Sequence, residues 1–558
     1  MEYQAVGSSD AASGGRFDVV IVGAGFSGMQ MLYRVRELGF SARVFEAGGD
    51  IGGTWYWNRY PGARCDVESL EYSYQFSDDL QQEWVWTERF AAQPEILRYA
   101  DHVAERFGLR PDIQFNTRVS AATYDEESDR WLVRTAAGDE VTAQFLIMAT
   151  GCLSSTNLPK FPGMESFRGE IYHTGRWPHE GVDLSSKRVG VIGTGSSGVQ
   201  AIPVIAEQAK ELYVFQRTAT YTVPAFNHPL DPDEQATVKA DYAGFRARND
   251  LMPGAGYSRY PAANPASIFE ATPRERDEAF EARWALGGLT LLGAFGDIMV
   301  NEEANDIAAE FVRNKIRQIV KDPDVAALLS PRHTIGCKRI CVDTGYYETY
   351  NRPNVHLVDV GSAPIDELTP NGIRTGGTEY ELGVIVFATG FDAMTGTLLK
   401  IDIRGREGLT LREKWSAGPH TYLGLGVSGF PNLFTISGPG SPSVLTNMMA
   451  SIHHHVNWIG ACLKYLRDNG ITSVEATPDA EESWVHHVNE VADRTLYPSC
   501  NSWYLGANVP GKTRVFMPLV GFPPYAQKCA EVSANGYAGF ALTRNGHAAP
   551  GVTADFGE

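Results

Sequence analysis

Apolar residues in this chain gather into short continuous runs that stop at glycine. Asp18-Val19-Val20-Ile21-Val22 ends on Gly23-Ala24-Gly25-Phe26-Ser27-Gly28. The period then changes. Phe26, Met29, Leu32, Val35 and Leu38 fall on one helical stripe, and Gly39 supplies a stop. A second run, Ala42-Arg43-Val44-Phe45, ends at Glu46. The same order recurs downstream: Arg188-Val189-Gly190-Val191-Ile192, then Gly193-Thr194-Gly195-Ser196-Ser197-Gly198, then Leu212-Tyr213-Val214-Phe215. Strand, glycine turn, helix and strand predict a parallel sheet with a phosphate cradle at the first helix N-terminus. Two copies predict an α/β chain with two Rossmann-like dinucleotide-binding domains.

Two further apolar runs, Phe145–Met148 and Val384–Phe387, each end in Ala-Thr-Gly. They suggest two crossings between a first unit and a second unit inserted within it. The pattern predicts the first unit over 17–153 and 388–543 and the second over 154–226 and 330–387. Residues 227–329 turn helical and charged, which predicts an inserted helical subdomain. Residues 1–16 and 544–558 read as disordered tails.

The two cradles differ where a ribose would lie. Glu46 stands about twenty residues past the first glycines and suits a free ribose hydroxyl. The second copy ends in Gln216-Arg217-Thr218 and carries no acid. A guanidinium there suits the 2′-phosphate of NADPH, which a carboxylate would repel.

Bulk properties narrow the classes. The 558 residues exceed one core, so two or three domains are expected. A net charge of −19 argues against nucleic acid and anionic membranes. No apolar run is long enough for a membrane span, and Met1–Arg16 lacks a signal pattern. Seven cysteines form no disulfide framework and fit a reducing cytoplasm. Cys65 stands alone near the first cradle, and Cys337 and Cys341 flank basic residues elsewhere, which argues against thiol-redox catalysis. His453-His454-His455 point in different directions on a helix and lack acid partners, so no metal site is expected.

Two longer patterns go beyond the glycines. One is Phe167-x-Gly169-x3-His173-x3-Trp177-Pro178; the other is Gly52-Gly53-x-Trp55-x4-Tyr60-Pro61-Gly62-x3-Asp66. With them, residues 18–543 resemble the type I Baeyer–Villiger monooxygenases, and Trp177-Pro178 separates them from flavin enzymes that oxidise nitrogen and sulfur. The resemblance implies FAD in the first unit and NADPH in the second. It implies insertion of one oxygen atom of O2 beside a ketone carbonyl, giving an ester or lactone by way of a C4a-peroxyflavin anion.

Residue by residue, it implies Arg339 as the cation that stabilises that anion, with Asp66 holding Arg339 in place. Gly23, Gly25, Gly28, Glu46, Gly53, Thr54, Trp55, Trp57, Tyr72, Val119 and Met448 would contact FAD. Thr194–Gly198 and Gln200 would wrap the NADPH pyrophosphate, with Arg217, Thr218 and Lys338 on its 2′-phosphate. Asn501–Asn508 matches a mobile loop whose Trp503 covers nicotinamide and substrate. Ser443, Val444 and Leu445 would shape the ketone pocket, and His173 would tie the interdomain linker. Ala63-Arg64-Cys65-Asp66 looks closer to members acting on phenylacetone, large-ring ketones and steroids than to the cyclohexanone type. A monomer or weak oligomer is expected. Two alternatives stay open: a flavin N- or S-oxygenase of the same architecture, and an NADPH oxidase that does not oxygenate ketones.

Overall fold

The computed structural model describes residues 15–507, 511, 521–544 and 547–548. Its six N-terminal strands are β1 (Gly15–Val22), β2 (Ala42–Phe45), β3 (Ile113–Gln114), β4 (Val119–Asp125), β5 (Arg130–Thr135) and β6 (Glu140–Met148). β1 runs parallel to β2 and to β6, with Val22 opposite Phe45 and Met148. Val19 to Ile21 are fully buried because both faces of this sheet are covered. The helix Phe26–Glu37 follows β1 and buries the predicted stripe of Phe26, Met29, Leu32 and Val35. Its other neighbour is the long helix Met448–Asp468, which comes from the far end of the chain.

The second sheet contains β7 (Glu170–His173), β8 (Arg188–Ile192) and β9 (Glu211–Gln216). Outside it, β10 (Thr222–Pro224) pairs with β11 (Cys341–Asp343). β12 (Val355–Asp359) returns to the sheet, and an antiparallel set follows: β13 (Ile365–Thr369), β14 (Gly372–Thr375) and β15 (Thr378–Glu381). With β16 (Val384–Phe387), the second sheet has the all-parallel order β12-β9-β8-β16-β7. β17 (Asp402–Arg404) then joins the first sheet beside β4, and β18 (Leu433–Thr435) beside β6. The chain thus leaves the first sheet after Met148 and comes back after Phe387.

Between Ala225 and Ile340 the described residues contain helices and no strand. Helix Glu302–Ile319 buries Ala304, Ala308, Val312 and Ile316 in the same core as the second sheet. The structure departs from expectation at both ends: β1 begins at Gly15, and His547–Ala548 pairs back on the strand Phe540–Arg544.

The cysteine reading needs a larger correction. Cys337 and Cys500, 163 residues apart, form a disulfide with their Cα atoms 6.1 Å apart. The sequence offered Cys341 as the near neighbour of Cys337, and only the folded chain brings Cys500 to it. The other five cysteines are buried free thiols.

Candidate active site

Each glycine motif packs against one of the Ala-Thr-Gly turns. Gly23 and Gly193 adopt φ of 105° and 109°, and a Cβ on either would lie 2.6 or 2.5 Å from the carbonyl oxygen of Ala149 or Ala388. At Gly28 and Gly198 a Cβ would lie 1.8 or 2.4 Å from the oxygen of Gly23 or Gly193. Only glycine lets helix and strand approach so closely. The helices Phe26–Glu37 and Ser196–Gln208 start from Gly25 and Gly195 with no side-chain cap. Their free N–H groups face one cavity of about 1700 Å³.

Gly25, Gly53, Thr54, Trp55, Trp57, Tyr72, Val119 and Met448 line this cavity on the first-sheet side. Glu46 also lines it, and its carboxylate accepts from the N–H groups of Ala24 and Gly48 at 2.7 and 2.6 Å. Burial pushes the Glu46 carboxyl upward, and these N–H groups oppose that. On the other side stand Gly193 to Ser197, Gln200, Arg217, Thr218 and Lys338. Gln200 also spans the units, since Tyr60 Oη donates to its Oε1 at 2.8 Å. Burial lowers the Lys338 ammonium, and nearby Arg217 lowers it further. Two cations gathered in a chain of net charge −19 form a cradle for a doubly charged anion. The residues present therefore fit two dinucleotides, the one beside Lys338 carrying an extra phosphate.

Arg339 and Asp66 meet between the cradles. The guanidinium donates to Asp66 through Nε at 2.7 Å and Nη2 at 3.0 Å, and through Nη1 to the carbonyl of Val444 at 2.7 Å. Burial opposes the charge of Arg339, but Asp66 more than offsets it and holds the group well above the ordinary arginine value. Tyr257 Oη donates to the carbonyl of Asp66 at 3.0 Å. Tyr504 is buried beside Arg339; burial raises its phenol and the guanidinium pulls it back. Sequence reasoning missed Tyr257 and Tyr504. Tyr504 had the signal of adjacency to Trp503, whereas Tyr257 lies in no motif.

Of the three residues assigned to the ketone pocket, only Val444 lines the cavity. Ser443, with φ of 43°, is fully buried, and its hydroxyl donates to the Ser437 carbonyl at 3.4 Å. Leu445 packs against the cluster around Cys152 and Met394. Asn501, Ser502 and Trp503 line the cavity, while Asn508 lies outside the described residues. Gly28 and Gly198 act through packing rather than contact with the cavity.

The fingerprint residues sit at the linker. His173 Nε2 lies 3.3 Å from the Asn157 carbonyl, its Nδ1 accepts from Gly175 N–H at 3.0 Å, and burial lowers it. Trp177 is buried in the second core against Tyr172. Of the three adjacent histidines, His455 is fully buried, accepting from Ser437 N–H at 3.0 Å and lying 2.8 Å from Tyr525 Oη.

Known proteins match this arrangement. Residues 20–243 match a family model described as pyridine nucleotide-disulphide oxidoreductase. A Baeyer-Villiger monooxygenase of Pseudooceanicola batsensis is 45% identical over 94% of this chain and 96% of its own. The phenazine N-monooxygenase PhzNO1 of Lysobacter antibioticus is 40% identical over 94% of this chain and 97% of its own. A solved structure of oxidized steroid monooxygenase bound to NADP is 52% identical, covers 95% of this chain and all of its own, and has a TM-score of 0.90. With identities of this size along nearly the whole length, the chain belongs to the type I Baeyer–Villiger monooxygenases.

Proposed function

We propose that this chain is an FAD- and NADPH-dependent ketone monooxygenase that places one atom of O2 next to a ketone carbonyl and releases an ester or lactone. The observation that carries the reading is the Arg339 guanidinium, fixed by Asp66 and the Val444 carbonyl in the cavity shared by both cradles. When bound, FAD reduced by NADPH supplies the activation of oxygen. The protein's part is positional. The Glu46 side of the cavity holds one dinucleotide, Arg217 and Lys338 hold the phosphorylated one, and Arg339 presents a charge that cannot be lost to a base. Trp503 and Val444 narrow the space where the ketone enters and keep water out.

On this reading residues 17–153 and 388–543 form the FAD unit, 154–226 and 330–387 the NADP unit, and 227–329 the helical insertion. Membership of the two sheets supports that division. A bulky, apolar ketone fits best. Val67, Cys152, Leu153, Val444, Met448 and Trp503 supply apolar wall beside the Asp66–Arg339 pair. The identity to the steroid monooxygenase points the same way. Among the described residues no helix is long and apolar enough to cross a membrane. A monomer or weak oligomer in the cytoplasm belongs to the same proposal.

A second reading, N-oxygenation, draws on the phenazine relative, whose coverage of the chain is just as full. One experiment separates the two. The purified yellow enzyme is given NADPH and a panel of aryl, large-ring and steroid ketones with phenazine alongside. Ester or lactone masses from the ketones support the proposal; an N-oxide with no ester replaces it. NADPH use matched by hydrogen peroxide, unchanged by any compound, rejects both.

A further inference from the structure

The disulfide joins two segments that both end in the site. Cys337 directly precedes Lys338 and Arg339. Cys500 directly precedes the Asn501–Ala507 loop that brings Trp503 to the cavity and Tyr504 beside Arg339. Tyr504 against Arg339 is one further tie between the segments, and a hydrogen bond at their flanks is another. Ser499 Oγ meets Thr334 Oγ1 at 2.9 Å on the exposed side. Among the described residues, the backbone hydrogen bonds between Ser502 and Ala507 run from Leu505, Gly506 and Ala507 back to Ser502 and Trp503. The Thr334–Cys337 turn, by contrast, is anchored, because Ile335 N–H donates to the buried Asn305 side chain at 2.9 Å. A covalent bond thus ties a loop that packs Trp503 and Tyr504 beside the site to a turn fixed by a buried side chain. Cys337 is 0% exposed and Cys500 half-buried, so reagents reach the bond from the Cys500 side.

We propose that Cys337 and Cys500 form a peroxide-sensitive modification site that sets how firmly the Trp503–Tyr504 segment seats on Arg339. The oxidant is hydrogen peroxide, the by-product expected when NADPH is spent without oxygen transfer. In closing, the Cys500 thiolate attacks one peroxide oxygen; an S–O bond forms, the O–O bond breaks, and hydroxide leaves and is protonated to water. The Cys337 sulfur then attacks Cys500 sulfur; the S–S bond forms, the S–O bond breaks, and a second water leaves. Two thiols lose two electrons and two protons, and one peroxide becomes two waters. In opening, a small external thiolate attacks the sulfur of half-buried Cys500 and expels the Cys337 thiolate, and a second thiol releases Cys500. A chain held in a reducing compartment would then carry the bond only while it generates peroxide.

The closed bond is inferred from the geometry alone, while its effect on turnover rests on the proposed ketone oxygenation. The test uses the holoenzyme in three forms: treated with peroxide, reduced with a phosphine and freed of it, and Cys500→Ser. Peptide mapping after alkylation reads the bond, and product per NADPH reads its effect. A linked Cys337–Cys500 peptide should appear with peroxide and vanish on reduction. Reduced enzyme and Cys500→Ser should both lose about tenfold in product per NADPH, and peroxide should restore only the reduced wild type. If Cys500→Ser does not fold, the reversible cycle on the wild type is decisive by itself. Alkylation of both cysteines after peroxide treatment overturns the proposal, as does coupling that agrees within about twofold in closed and open forms. Should no ketone be converted by any form, the peptide map still decides whether the bond closes, and NADPH affinity measured open and closed takes the place of coupling.

Discussion

Replacement of Arg339 separates charge from geometry at the site. Arg339→Ala deletes a full positive charge and its three hydrogen bonds, two to Asp66 and one to Val444. A unit charge about 4 Å from a developing oxyanion is worth about 4 kcal/mol at an effective dielectric near 20. Removal of one such stabilising group costs ~3–4 kcal/mol, or about 100- to 1000-fold in rate. The stranded Asp66 adds little to the loss in stability. Its side chain is 24% exposed, so solvent shields it, and the orphaned carboxylate costs toward the low end of ~1–3 kcal/mol. The protein should therefore fold and stay yellow. Arg339→Lys keeps the charge but cannot span both Asp66 oxygens and the Val444 carbonyl at once, and should lose about tenfold. The assay splits the cycle: anaerobic flavin reduction by NADPH in a stopped-flow instrument, then product and hydrogen peroxide per NADPH in air. The alanine variant should reduce flavin within about tenfold of the parent while oxygenation falls by about 100- to 1000-fold and peroxide accounts for the NADPH. Ketone conversion within about threefold of the parent would refute the role given to this cation.

Other substitutions test the surrounding argument. Arg217→Ala should raise the NADPH Kd by about tenfold or more and leave NADH within about twofold, and equal loss with both removes Arg217 from the phosphate site. Gly198→Ala sets a Cβ 2.4 Å from the Gly193 oxygen and should weaken NADPH binding and lower Tm; an unchanged NADPH Kd would show that the turn can give way. Glu71 is pushed up to about 8, first by burial and then by Glu68. Its native-state value lies above the unfolded carboxylate value of about 4.3, so the folded protein binds the extra proton. That contribution to stability is complete below about pH 4.3 and is lost as pH rises through about 8. Glu71→Gln should raise Tm relative to wild type at about pH 8.5 more than at about pH 5.5; a difference independent of pH would show that Glu71 stays charged.

Local pattern exposed most of the architecture. The buried parallel strands are continuous apolar runs, and the glycine turns need φ values that only a glycine adopts freely, so both leave a mark within a few residues. Glu46 and Arg217 were legible because each ends a strand at a fixed distance from its glycines. Contacts across hundreds of residues left no such trace. The resemblance implied the pairing of Asp66 with Arg339, but nothing in the sequence showed that a Val444 carbonyl would take the third bond. Ser443 lies outside the cavity lining because the fold buries its hydroxyl, which a matched segment of sequence does not reveal. The Cys337–Cys500 bond was missed because cysteine spacing reports only near neighbours in the chain. Trp177 packs in the second core and edges the cavity, while His173 is hydrogen-bonded at the linker and does not line it.

Asp66 belongs to the body built on the first sheet, and Arg339 to the body built on the second, next to β11. Their salt link therefore joins side chains flanked by two different cores. Any displacement of one core against the other would have to lengthen that link, so the position of the charge registers how the two cores fit. Changes made at Ala149-Thr150-Gly151 or Ala388-Thr389-Gly390 should then register as altered chemistry, although neither turn carries a charged side chain of its own.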